Sequence, residues 1–177
     1  GMLPRSTNTR IDREASKGKQ SGRTQEIQRL IGRSLRSITN LENLGERQIK
    51  IDCDVLQADG GTRTASISGG FVALYLAIEK LKKNYNIQKP IIKEFIGAIS
   101  TGIISGKANL DLDYQEDSAA EVDANFVVCE SGKIAEIQVT GEEYFFSEDE
   151  FNEIFKLAKE GIKEIIKKQR EVLGLSW

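Results

Sequence analysis

Between residues 48 and 55 the chain alternates, with Ile49, Ile51, Cys53 and Val55 apolar and Lys50, Asp52 and Asp54 charged. A period of two sends the two sets to opposite faces, so a half-buried strand is expected over 48–55. Upstream the spacing is helical. Ile27, Leu30, Ile31, Leu35 and Ile38 form one stripe and Arg29, Arg33 and Arg36 another, predicting an amphipathic helix from Ser21. A longer apolar helix is expected over 62–83. Beyond Pro90 the pattern turns to strands at 95–104, 108–114, 123–129 and 134–140, with 105-SGK-107 and 131-SGK-133 as hairpin turns. A last helix opens at Ser147, where Ser147 and Glu150 have capping-box spacing, and Phe151, Ile154, Phe155, Ala158, Ile162, Ile165 and Ile166 continue its apolar stripe. The order α-β-α-β-β-β-β-α predicts an α+β fold with a mixed or antiparallel sheet and packed helices. Residues 1–20 read as extended loop.

Composition narrows the chemistry. The 177 residues contain no histidine, which removes Ser-His-Asp and Cys-His nucleophiles and His-ligated metals. Cys53 and Cys129 lie in separate strand-like runs, too far apart for a zinc motif, and read as small buried hydrophobes in a reducing compartment. No apolar run is long enough to span a membrane and the N-terminus is polar and basic, so a cytoplasmic protein without membrane partners is expected. The net charge of −2 hides an asymmetry. Residues 1–36 carry nine basic groups (Arg5, Arg10, Arg13, Lys17, Lys19, Arg23, Arg29, Arg33, Arg36) against three acidic ones, a local +6, and the rest of the chain is −8. A basic front on an acidic body suits a polyanion, though a solvated arm has the same composition.

Two stretches concentrate groups that can do chemistry. In 57-QADGGTRTASISGG-70, Gly60 and Gly61 precede a predicted helix whose first amides lack intrahelical partners. Glycines admit an anion close to the main chain, Thr62 and Thr64 add hydroxyls, and Arg63 adds a planar cation that can fork phosphate. The segment reads as a phosphate cradle or, more plainly, as a turn with a threonine cap. Neither a Walker motif nor GxGxxG is present. A second opening, 21-SGRT-24, repeats the glycine, arginine and threonine. In 116-EDSAAEVDAN-125, Glu116, Asp117, Glu121 and Asp123 crowd four carboxylates together, close behind Asp111 and Asp113. Oxygen donors without His or Cys suit Mg²⁺ or Mn²⁺, and the same acids also suit a solvated strand face. Cationic amides beside clustered acids fit phosphoryl-type transfer, which needs anions held together more than it needs a nucleophilic side chain.

These same residues resemble the ribonuclease PH family, phosphate-dependent 3′→5′ exoribonucleases that trim transfer-RNA precursors. The resemblance rests on 1-GMLPRST-7, 17-KGKQSGRTQEIQRLIGRSLR-36, 52-DCDVLQADGGTRTASISG-69 and 116-EDSAAEVD-123, in family order over the first two-thirds of the chain. It implies that Arg23, with Gly61, Thr62 and Arg63, holds inorganic phosphate as co-substrate. It implies that Asp117 and Asp123 hold Mg²⁺ or Mn²⁺ and polarise the leaving oxygen, so that the catalytic set is Asp117, Asp123, Arg23 and Arg63. The implied partner is RNA rather than DNA, the released product is a nucleoside diphosphate, and the assembly is a hexamer built as a trimer of dimers. The chain departs from the family at Asn8, where a histidine is usual, and at 139-VTGEEY-144, where a Gly-Thr-Ala-Glu-Gly run is usual. Family members also carry several dozen residues before the Met-Leu-Pro-Arg text. The expectation is therefore a single ribonuclease PH-like domain over 1–177, shortened at its N-terminus and missing its first strands. A non-catalytic, RNA-binding or ring-forming remnant is the alternative.

Overall fold

The computed structural model describes residues 1–14, 18–142 and 145–176. Lys17 of the basic front, and Glu143 and Tyr144 of the divergent 139–144 segment, lie outside them. Helices α1 (Gly22–Ser37), α2 (Leu41–Leu44) and α3 (Thr62–Tyr85) precede strands β1 (Ile96–Ile104) and β2 (Lys107–Leu110). Helix α4 (Tyr114–Ala119), strands β3 (Val122–Cys129) and β4 (Ile134–Gly141) and helix α5 (Glu148–Leu173) follow. All pairings in the four-stranded sheet are antiparallel, in the order β2-β1-β3-β4. This is the expected α+β architecture.

Strand β1 is buried along nearly its whole length because both faces are covered. On one face lies α5, whose Phe151 and Phe155 pack on Phe126 with ring centroids 6.0 and 5.2 Å away. It approaches so closely that a Cβ on Gly161 would sit 2.7 Å from Ile99 Cδ1. On the other face lie α3, whose Ser68 Oγ accepts the Ala98 N–H at 3.1 Å, and α1, whose Arg33 pairs with Glu136 of β4 at 2.8 Å. Gln169 of α5 ties the layers together by donating to Ser68 O and Ile96 O, each at 3.0 Å. The final helix begins as its sequence predicts, with Ser147 and Glu150 forming a reciprocal capping box.

Three local readings change. Residues 48–55 show the predicted alternation in burial but form no strand. Their apolar side rests on α3, where Ile51 and Cys53 approach Gly70. Among the described residues their backbone pairs only with residues 1–3, through Val55 N–H to Gly1 O and Leu3 N–H to Val55 O. Alternation requires only a half-buried surface, whereas a strand requires a ladder. The segment 108–114 stops pairing at Leu110. Asp111 then turns with φ 57°, and Asp113 caps a new short helix in a capping box with Glu116. Helix α2, capped by Asn40, is too short for any periodic stripe to announce it.

Candidate functional site

The alternation of a strand decides which side chains reach the α1/α3 face of the sheet. Ser100 and Gly102 of β1 pair with Asn125 and Asp123 of β3, which pair in turn with Gln138 and Thr140 of β4. Directly paired residues in a sheet share a face. Gly61 lies against this face, since a Cβ there would come within 3.6 Å of Ser100 Oγ and of Asp111 Oδ1. The polar end of the sheet therefore lies beneath the N-terminus of α3.

The helix openings divide their predicted ligands into occupied and available groups. At α3, Gly61 is the N-cap in left-handed conformation (φ 64°) and supplies no side-chain cap. The first-turn amides are consequently left for an external acceptor. Thr64 is spent locally, its hydroxyl donating to Gly61 O at 2.8 Å. Thr62 makes no side-chain hydrogen bond among the described residues. At α1, Ser21 caps Thr24 N–H, and Thr24 Oγ1 donates to Glu14 Oε2 at 2.6 Å. Hydrogen bonds to Glu14 itself, from Thr24 first and then from Ser21, hold its carboxyl below the usual carboxylate range. Arg23 is exposed and makes no hydrogen bond or ion pair among the described residues.

Half of the clustered acids have structural employment. Asp113 and Glu116 cap α4, and Glu121 accepts the Gly106 N–H at 3.2 Å. Asp117 has no hydrogen bond to its carboxylate among the described residues, and Asp123 has one long approach, 3.5 Å from Asn125 Nδ2. Strand β3 starts at Val122, so Glu121 lies in the β2–β3 connection.

Asp123 registers the other three predicted charged groups, Asp117, Arg63 and Arg23. Burial, and next the negative charge of Asp117, push its carboxyl above the usual carboxylate range. Arg63 opposes this, Glu142 adds to it, and Arg23 opposes it again. Arg63 and Arg23, from two different helices, thus both act electrostatically on Asp123. Among the described residues no group of three or more acids, cysteines or histidines could enclose a metal. Two carboxylates plus substrate oxygens and water are nonetheless the donor set that Mg²⁺ accepts beside a phosphate, and the mutual repulsion seen at Asp123 is what a divalent ion would relieve.

Sequence reasoning missed two residues that organise the site, Asp59 and Glu26, and the packing role of Gly60. Asp59 Oδ1 accepts the Tyr114 N–H at 2.8 Å, fastening the glycine loop to the helix that bears Asp117. Gly60 packs so tightly there that a Cβ would fall 1.8 Å from Leu112 O. Its lack of a side chain thus serves the fold as well as any anion. Glu26, midway along the basic face of α1, approaches Arg63 Nη1 at 3.8 Å and accepts from Gln138 Nε2 at 3.1 Å. The 113-DYQE-116 capping pattern could have flagged α4, but the other contacts join segments far apart in sequence and leave no local signal.

Comparison with known proteins finds a family match and similar relatives. Residues 1–78 match domain 1 of the 3′ exoribonuclease family, RNase_PH, and residues 94–161 match its domain 2. The chain is 57% identical over 174 residues to ribonuclease PH of Neisseria meningitidis serogroup C, covering 98% of this chain and 72% of that protein. It is 58% identical to ribonuclease PH of Bacillus subtilis, over 98% of this chain and 71% of that one. The fold is shared with the Archaeoglobus fulgidus exosome solved with RNA bound to its active site, at a TM-score of 0.70 and 15% identity, over 95% of this chain and 68% of that one.

Proposed function

Because the chain belongs to the ribonuclease PH family, we infer that it is a phosphate-dependent 3′→5′ exoribonuclease that trims transfer-RNA precursors and releases nucleoside diphosphates. What supports the reading at the site is that Arg63 and Arg23, from two helices, both act electrostatically on Asp123, next to Asp117. An oxygen of inorganic phosphate attacks the phosphorus of the last phosphodiester. The bond from that phosphorus to the O3′ of the preceding nucleotide breaks, O3′ takes up a proton, and the terminal nucleoside departs as a 5′-diphosphate.

Two anions must meet for this to happen. Arg23, Arg63, the Thr62 hydroxyl and the amides of the Gly61–Thr62–Arg63 opening hold the incoming phosphate, offsetting repulsion from the RNA phosphate. Asp117 and Asp123 are the residues to hold Mg²⁺ or Mn²⁺, which when bound neutralises charge building on the leaving oxygen. The basic groups of residues 1–36, of which Arg5, Arg10, Arg29, Arg33 and Arg36 are exposed, meet the RNA backbone, so affinity falls as salt rises. No described helix is long and apolar enough to cross a membrane. The reading extends to a cytoplasmic hexamer arranged as a trimer of dimers. It treats the chain as one packed domain across both family regions, clamped by Gln169.

The decisive assay incubates the protein with a transfer RNA carrying extra 3′ nucleotides and Mg²⁺, with and without phosphate, and chromatographs the products. Diphosphates formed only with phosphate support phosphorolysis. Monophosphates would mean hydrolysis, and silence beside an active full-length relative would leave a non-catalytic remnant. Arg23→Ala and Arg63→Ala should each raise the KM for phosphate roughly ten-fold or more, as expected for loss of a charge-assisted contact. The KM for RNA should move far less. Equal changes in both constants would remove these arginines from the phosphate site.

A further inference from the structure

We propose that Glu26 is a positioning residue for phosphate binding, its carboxylate holding one edge of the Arg63 guanidinium while Gln138 anchors that carboxylate to the sheet. The proposal rests on Arg63 being a phosphate ligand. Glu26 Oε1 serves both neighbours, with Arg63 Nη1 at 3.8 Å and Gln138 Nε2 at 3.1 Å. Gln138 stands on β4 opposite Asn125 of β3, and Asn125 Nδ2 lies 3.5 Å from Asp123 Oδ1. One polar row on the sheet therefore supports the cationic half of the site through Glu26 and the acidic half through Asn125.

The Gln138 amide has a defined orientation. Its Oε1 is buried without a hydrogen-bond partner, yet Nε2 faces Glu26. Turning the amide over would set its carbonyl against the Glu26 carboxyl oxygen, an acceptor facing an acceptor, so that contact holds the donor outward. An arginine carries five N–H donors in a planar fork, and Glu26 engages one nitrogen only. This is the sole ion pair of Arg63 among the described residues, so the rest of the fork remains for an oxyanion. Holding the side chain beforehand reduces the ordering that phosphate binding must otherwise impose. Glu26 also places a negative charge near the phosphate site. If repulsion outweighed alignment, its removal would strengthen phosphate binding instead of weakening it.

The test measures initial rates with phosphate varied at saturating RNA, then with RNA varied at saturating phosphate, for the wild type, Glu26→Gln and Glu26→Ala. Phosphate-induced thermal stabilisation gives a readout independent of turnover. Glu26→Ala should raise the phosphate KM about five-fold while kcat and the RNA KM stay within about two-fold, the split expected for lost ground-state alignment. Glu26→Gln, which keeps an acceptor without the charge, should fall between. In an Arg63→Ala background, Glu26→Ala should add nothing to the phosphate KM, because the residue it aligns has gone. An unchanged or lowered phosphate KM in Glu26→Ala, or an equal further loss in the Arg63→Ala background, overturns the proposal. A wild type indifferent to phosphate would instead defeat the phosphorolytic reading itself, and this proposal with it.

Discussion

Asp123→Asn is expected to lose roughly 100-fold or more in kcat, the scale of removing one group that stabilises developing charge, while becoming harder to melt. The two effects share one cause. Burial and the neighbouring Asp117 raise the Asp123 carboxyl above its ordinary range, so folding disfavours its ionised form. Between the ordinary value and the raised one, the native state binds more protons than the unfolded state. Stability therefore falls as pH rises through that window and remains lower above it. Above the raised value the penalty is fully present, and asparagine removes it without changing shape. Calorimetry should show a higher Tm for Asp123→Asn at pH 7, with the advantage disappearing below the ordinary aspartate range. Adding Mg²⁺ should raise the Tm of the wild type but not that of the variant. RNA affinity, set mainly by the basic front, should change little. A lower Tm at pH 7, or an equal response to Mg²⁺, would remove Asp123 from the charge-strained pair.

Gly60→Ala should be the most damaging single methyl group in the site. Its Cβ would meet Leu112 O at 1.8 Å, Leu112 C at 2.8 Å and Asp113 C at 3.0 Å, all backbone atoms with no rotamer of their own. Loop and helix must separate, and the Asp59–Tyr114 hydrogen bond separates with them. The expected cost is about 3 kcal/mol, the upper part of the overpacking range. For a chain of this size that lowers Tm by roughly 6–12 °C. Turnover should fall roughly 100-fold even well below the melting temperature, because Arg63 and Asp117 are then misplaced relative to each other. Asp59→Ala, which removes the fastening but inserts nothing, should cost less on both measures. Retention of more than half the wild-type activity by Gly60→Ala would show that the contact does not set the site geometry.

Much of this was open to reading along the chain. The caps and stripes of α1, α3 and α5 are local matters of spacing, and Ser21, Ser147 and Glu150 act where the sequence places them. The hairpins at 105–107 and 131–133 were equally legible, since positive-φ positions gather there at Ser105, Gly106 and Gly132. The kinds of group on offer were legible too, because a chain without histidine has carboxylates, arginines, lysines, hydroxyls and backbone amides to work with.

Other features depended on neighbours. The 48–55 segment has the alternation of a strand without the ladder, because pairing is supplied by other chain segments rather than by its own residues. Which acids remain available was equally invisible: the capping of α4 and the Gly106 contact employ Asp113, Glu116 and Glu121, leaving Asp111, Asp117 and Asp123. Glu26 looks like one more surface charge on a helix until β4 brings Gln138 beneath it. The chain's own order of residues determined the helices, the turns and the kinds of group on offer, because those follow from interactions a few residues apart. Tertiary structure alone decided which groups face one another across the sheet, because burial, strand register and charge–charge distance exist only once remote segments are packed together.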